Sequence, residues 1–201
     1  MASFFTFVFS LSLLFSINLK ACVASRILIQ QTANSEYIKT KCGATTYPSL
    51  CYTSLSSYAS TIQRSPMQLA HTSLSVTLDS ARASSTALKG MCAAGGMSHG
   101  AAAAMKDCMD TMKQSVEELK GSMHAMDNMK GKNFAFQLNN IQTWVSAALT
   151  DDSTCMDEFS SRTMDGKLKT AVRSHVLNVA QMTSNSLALI NAFVLSHSTS
   201  P

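Results

Sequence analysis

The sequence predicts an all-α protein: an antiparallel up-down-up-down four-helix bundle with a small N-terminal helical hairpin packed on or beside it. Three observations point there. Helix breakers are scarce, with eight Gly and three Pro in 201 residues. No segment sustains the alternation of β-branched residues that marks a strand. Finally, Met105, Met109, Met112, Val116, Leu119, Met123 and Met126 recur in steps of four and three. That is a heptad seam, suited to packing among roughly parallel and antiparallel helices.

The chain opens MASFFTFVFSLSLLFSINLKACVAS, and no charge precedes Lys20. The apolar run from Phe4 to Ile17 is shorter than the ~20 residues of a membrane span and fits the core of a secretory signal. Cys22 and Ala24 stand three and one positions before a cut ahead of Ser25. We expect a leader over 1–24 and one exported domain over 25–201, with the hairpin at about 35–62 and the bundle at about 65–197. The mature chain of about 177 residues is long enough for a real core. Its charge of about +3 is too weakly basic to argue for nucleic acid. No second spanning segment follows the leader, and no Asn-x-Ser/Thr sequon is present.

A polar segment, Ser35 to Lys41, leads to Cys42. Then TTYPSLCYTSLSSYA reads as a helix start, with Thr46 as N-cap and Pro48 in the first turn. Ser65 and Pro66 open the next helix, whose apolar or small stripe runs from Met67 to Leu88. It ends at Gly90, and GMCAAGGMSHG (Gly90 to Gly100) reads as a loop. The methionine seam forms the third long segment, weakened locally by Gly121. Lys130 to Asn133 (KGKN) breaks the chain. Leu138, Ile141, Val145, Ala148 and Leu149 mark another helix, and TDDSTCMDEF (Thr150 to Phe159) an acidic corner after it. The last helix, from about Gly166 to Ser196, has a wide apolar face that includes Val172, Val176, Val179, Ile190 and Phe193. Short connections make neighbouring helices antiparallel.

Cys42, Cys51, Cys92, Cys108 and Cys155 remain after the leader. An oxidising compartment makes disulfides the default, and an odd count leaves one thiol over. Cys42 and Cys51 match neither a C-x-x-C redox motif nor paired zinc ligands. They suit a staple across a Pro-bearing turn, contributing about 2.7 kcal/mol in the chain-entropy model. A bridge between Cys108 and Cys155 would tie two bundle helices, for about 4 kcal/mol. Cys92 would then be the free thiol: inert on one reading, an intermolecular bridge on the other. Spacing alone does not choose among the pairings.

Nothing reads as an enzyme active site, and no cofactor or metal is implied. Methionine thioethers suit Cu(I), but five of them lie on the seam, where Met fills core gaps. The cluster Met123, His124, Met126 and Met129 is what remains of that idea. GGMSHG lacks the Lys-Ser/Thr of a phosphate loop. His99 and His175 have no partner at catalytic spacing. Asp151, Asp152, Asp157 and Glu158 could act as an acid–base pair but read as a solvated acidic face. Asp110, Gln114 and Glu117 share one outer face of the seam helix. A Cys108–Cys155 bridge would draw the acidic corner toward them.

Tyr47-Pro48-Ser49-Leu50-Cys51, Asp107-Cys108, Trp144 to Thr150 leading to Thr154-Cys155, and Asn178 to Asn191 stand in order at characteristic spacing. Together they resemble the plant invertase and pectin methylesterase inhibitor family, over Ser35 to Ser196. The resemblance implies an exported helical inhibitor of the cell wall (apoplast) with bridges Cys42–Cys51 and Cys108–Cys155. Such a protein performs no chemistry and covers an enzyme's active-site cleft in a stoichiometric, non-covalent complex. Invertase inhibitors often carry a Pro-Lys-Phe signature that is absent here. The Tyr-Pro-x-Leu-Cys opening and DGKLKTAV look closer to the pectin methylesterase inhibitors. Aligned on the cysteines, the resemblance implies a partner interface of Asp110, Gln114, Glu117, Thr154 and Asp157, with Gln114 departing from an acidic residue of some relatives. Two alternatives stand beside this reading. One is an inhibitor of cell-wall or vacuolar acid invertase. The other is a non-inhibitory secreted helical binding module, in which the expected monomer is replaced by a dimer through Cys92.

Overall fold

The computed structural model describes Arg26, residues 28–159 and residues 166–198. The expected leader over 1–24 lies outside the described residues. The hairpin comprises α1 (28–42), α2 (Pro48–Leu55), a 3-10 turn (Ser56–Tyr58) and the short α3 (Ala59–Ile62). The bundle is α4 (Pro66–Ala93), α5 (His99–Asp127), α6 (Phe134–Glu158) and α7 (Gly166–Ser198), with a 3-10 turn at Gly131–Asn133 before α6. Among the described residues there is no strand, and no helix is long and apolar enough to cross a membrane.

The segment read as a polar lead-in, Ser35 to Lys41, is helical. Asn34, Ile38 and Cys42 recur every four residues and are buried, giving α1 one inward edge, while Leu28 and Ile29 in its first turn are exposed. Ile38, Leu55, Ala59 and Ile62 pack with the Cys42–Cys51 disulfide onto Leu69 of α4 and Leu189 of α7. Thr46 does not cap α2; Tyr47 holds the N-cap position without a side-chain cap bond. Asn185 of α7 takes over. Its Oδ1 accepts from Tyr47 N, and its Nδ2 donates to Tyr47 O, both at 3.0 Å. Gln63 and Arg64 are left-handed, with φ of 46° and 63°. They turn the chain into α4, where Ser65 Oγ caps by accepting from Gln68 N at 3.2 Å and Pro66 sits in the first turn.

Consecutive bundle helices pack on one another, and α4 closes on α7. Cross-links fix the antiparallel sense: His71 with Asp127, Ser115 with Asp152, and Gln142 with Asn191. Between α4 and α7, Ser73 and Thr77 meet Ser186 at 2.6 and 2.9 Å, while Ser84 donates to the carbonyl of His175. The core holds Leu74, Leu88, Met105, Met112, Leu119, Met126, Ile141 and Ile190, all fully buried.

The methionine seam is half right. Met105, Met112, Leu119 and Met126 are buried, but Met109, Val116 and Met123 are only partly so. Cys108, Ser115 and Ser122 occupy the buried stripe in their place. Small residues there let α6 approach closely enough for the Cys108–Cys155 disulfide. Gly121 faces Trp144 of α6, with room for a methyl group. A Cβ at this position would stand 3.5 Å from the ring of Trp144.

Two loops are shorter than the sequence suggests. α4 runs through Gly90 to Ala93 and α5 begins at His99, capped by Ser98. The acidic corner is no corner: Thr150 to Glu158 continue α6 without a break.

Candidate functional site

Asp110, Gln114 and Glu117 lie exposed on α5, and Thr154 and Asp157 exposed on α6. Helical periodicity puts the first three on the outer face of α5, turned away from its buried stripe of Cys108, Met112, Ser115 and Leu119. The Cys108–Cys155 bridge stands beside them, two residues before Asp110 and two before Asp157. The face is therefore a pair of straight helices locked side by side. Its acids have local partners: Lys106 Nζ lies 3.6 Å from Asp110, and Lys120 Nζ 3.3 Å from Glu117. Exposed pairs of this kind contribute little to stability, about 0–1 kcal/mol. They leave the face polar with both signs interspersed. Thr154 donates back to the carbonyl of Thr150, a bond within its own helix.

Three carboxyls cluster between α5 and α6: Asp151 and Asp152, read from sequence as part of a solvated acidic face, and Glu118, which the sequence reading missed. Asp152, expected on a solvated surface, is wholly buried. Its Oδ1 accepts from Ser115 Oγ at 2.7 Å. Its Oδ2 lies 2.9 Å from Thr183 Oγ1, whose proton is shared with the carbonyl of Val179 at the same distance. Burial pushes the Asp152 carboxyl up to about 6; the hydroxyls of Ser115 and Thr183 resist the shift, and the charge of Asp151 adds to it.

Glu118 of α5 faces Asp151 of α6. Burial, then the charge of Asp151 and a hydrogen bond with it, then the charge of Asp152, push Glu118 up to about 7. Burial also raises Asp151, and the bond from Glu118 opposes that rise. When both are ionised they have no proton to share, and Glu118 Oε2 is buried without a donor. Asp157 remains exposed as expected. The signal for this cluster is tertiary: Glu118 and Asp151 come from different helices, and only the fold brings them together.

Cys92 sits in the last turn of α4, not in a loop, half-buried against the core and unpaired. The methionines are packing: Met105, Met112 and Met126 are buried in the bundle, with Met129 at its edge. Among the described residues, no group of three or more His, Cys, Asp or Glu side chains is placed to hold a metal ion. His99 opens α5 and His175 lies within α7.

A family model described as "Plant invertase/pectin methylesterase inhibitor" matches residues 36–189. The chain is 44% identical over 166 residues to a protein named "21 kDa protein" from Daucus carota, covering 81% of this chain and 86% of that one. It is 40% identical over 174 residues to Pectinesterase inhibitor 11 of Arabidopsis thaliana, covering 85% and 86%. To Pectinesterase inhibitor 10 of the same plant it is 43% identical over 163 residues, covering 80% of this chain and 52% of the relative. Among solved structures, a mutant form of a pectin methylesterase inhibitor from Arabidopsis superposes with a TM-score of 0.63 at 21% identity. That match spans 77% of this chain and 95% of the other, a likeness of fold. By the family match and these identities, the chain belongs to the plant invertase/pectin methylesterase inhibitor family.

Proposed function

We propose that the protein is an exported inhibitor of pectin methylesterase that acts in the cell wall. It lays the α5–α6 face across the enzyme's active-site cleft in a one-to-one, non-covalent complex and so limits pectin de-esterification. The chain performs no chemistry of its own. The observation that supports the reading is the disulfide-linked pair α5 and α6, on which Asp110, Gln114, Glu117, Thr154 and Asp157 are all exposed. A face whose backbone is fixed by a disulfide and close packing loses little conformational freedom on binding, which favours affinity. Relatives named pectinesterase inhibitors at 40–43% identity support this target over acid invertase. The half-buried position of Cys92 supports a monomer.

The test is a paired titration at about pH 5.5, where exposed carboxylates are ionised. The disulfide-bonded mature protein is added to a plant pectin methylesterase and to a plant cell-wall invertase. Loss of methylesterase activity alone is the expected result. Loss of invertase activity alone would overturn the target. No effect on either would favour a non-inhibitory module, and a non-reducing gel would then show whether Cys92 links two chains. The interface has its own test. Asp110→Lys, Glu117→Lys and Asp157→Lys together should weaken inhibition at least about tenfold while leaving helical content unchanged. A triple variant that inhibits as well as wild type removes these residues from the interface.

A further inference from the structure

The hairpin carries a cleft that the proposed inhibitory face does not use. It holds about 230 Å³ between α1 and α3 and is lined by Gln30, Gln31, Asn34, Ser60 and Gln63. All five side chains are neutral, and each can both donate and accept hydrogen bonds. Asn34 is only 4% exposed, and its buried Oδ1 has no hydrogen-bond partner among the described residues. One turn further along α1, Tyr37 Oη is also buried and unpartnered. Orphaned buried polar atoms are rare in folded proteins, and each calls for something to satisfy it. Gln63 stands at the cleft in the left-handed conformation noted above, which residues other than glycine seldom adopt. Such strain is often found where a side chain must be held in place.

We propose that this cleft binds one neutral sugar unit of the wall polysaccharide, in its methyl-esterified form in preference to its acid form. A primary amide offers a donor and an acceptor side by side, which matches the paired hydroxyls of a pyranose ring. None of the five lining residues is Lys or Arg, so a uronate carboxylate entering the cleft would exchange its hydration for amides and a hydroxyl, with no counter-charge among these residues. The volume is several times the ~30 Å³ share of one liquid water, so the cleft can take a ring and not only a solvent molecule. The choice of a methyl-esterified uronide rests on the reading of the protein as a pectin methylesterase inhibitor; the preference for a neutral sugar rests on the lining alone. The hairpin packs on Leu69 and Leu189, at the end of the bundle where α4 begins. Asp110 and Asp157 lie toward the opposite end, so one molecule can hold enzyme and polysaccharide together.

The test uses the full mature chain, disulfides intact and ¹⁵N-labelled, titrated with methyl-esterified trigalacturonate and separately with trigalacturonate. The side-chain amides of Gln30, Gln31, Asn34 and Gln63 should shift at millimolar ester, with binding of the acid at least about tenfold weaker. Asn34→Leu, and separately the surface pair Gln30→Ala with Gln31→Ala, should each weaken ester binding about tenfold while methylesterase inhibition stays at wild-type strength. The surface pair keeps the test alive if Asn34→Leu does not fold. Unmoved amides, which would leave ordered water as the only occupant, would overturn the proposal. So would equal binding of ester and acid, or undiminished binding by both variants. Sugar binding without methylesterase inhibition would instead overturn the proposed function and leave the cleft standing.

Discussion

The buried carboxyl between α5 and α7 makes the stability of this fold depend on pH in a direction opposite to that of most acidic side chains. Asp152 accepts two hydroxyl hydrogen bonds and meets no cation, and burial holds its pKa at about 6. In the unfolded chain the group titrates near 3.9. The folded state therefore binds the proton more tightly. Stability from this group is fully present below about pH 4, declines as pH rises through 6, and levels off above it. Two pKa units correspond to at most ~3 kcal/mol between the two plateaus. Glu118, pushed to about 7, adds to the decline with the same sign. It is only partly buried, so solvent screening leaves its share smaller. Urea unfolding of the oxidised protein, followed by circular dichroism from about pH 4.5 to 7.5, reads this directly. Asp152→Asn preserves shape and one acceptor, and should remove most of the slope while raising neutral-pH stability. Adding Glu118→Gln should flatten most of what remains. If the double variant keeps the wild-type slope, the cluster is not its source. A wild type that gains stability toward neutrality would refute the reasoning altogether.

Other substitutions test single contacts. Gly121→Ala places its methyl at ordinary van der Waals distance from Trp144; it should stabilise α5 by about 0.5–1 kcal/mol, seen as a raised Tm. Asn185→Ala removes both bonds to Tyr47 and should cost about 1–3 kcal/mol. Hydrogen exchange should then quicken in α1 and α2 ahead of the bundle. Replacing Cys108 and Cys155 together by Ala should cost about 4 kcal/mol and loosen the α5–α6 face. Chemical unfolding checks the first effect and methylesterase titration the second.

The number and order of the long helices were readable because their ends are punctuated. Ser65-Pro66 and Lys130 to Asn133 stand where helices begin and end. Boundaries failed where residue type and context disagree. Met91, Cys92 and Ala93 tolerate helix, so α4 continues past Gly90. Thr150 to Ser153 favour turns when isolated, yet Asp152 finds its hydroxyl partners on α5 and α7 and stays helical. α1 has too few apolar residues to announce itself, with Ile38 and Cys42 carrying its inward edge. The cap on α2 comes from Asn185, 138 residues away, where local reading could only nominate Thr46. On α5 the large methionines drew attention, while Cys108, Ser115 and Ser122 line the closer contact. Asp110, Gln114 and Glu117 were legible as an exposed stripe of α5, whereas Thr154 and Asp157 were assigned to the interface only through the family resemblance. The carboxyls between α5 and α6 were not legible, because each looks solvated until its neighbour arrives.

A bundle held only by apolar stripes is nearly indifferent to sliding: shift one helix by a turn, about 5.4 Å, and greasy side chains still meet greasy side chains. The hydroxyl contacts of α7 remove that freedom. Were α7 to slip by one turn, Val179 or Leu187 would replace Thr183 opposite the Asp152 carboxylate, and Met182 or Ile190 would replace Ser186 between Ser73 and Thr77. Either slip strands a buried acid and two buried hydroxyls in hydrocarbon, a penalty of several kcal/mol. Two short polar contacts thus act as index pins, giving a sequence rich in interchangeable Met, Leu and Ala a single alignment.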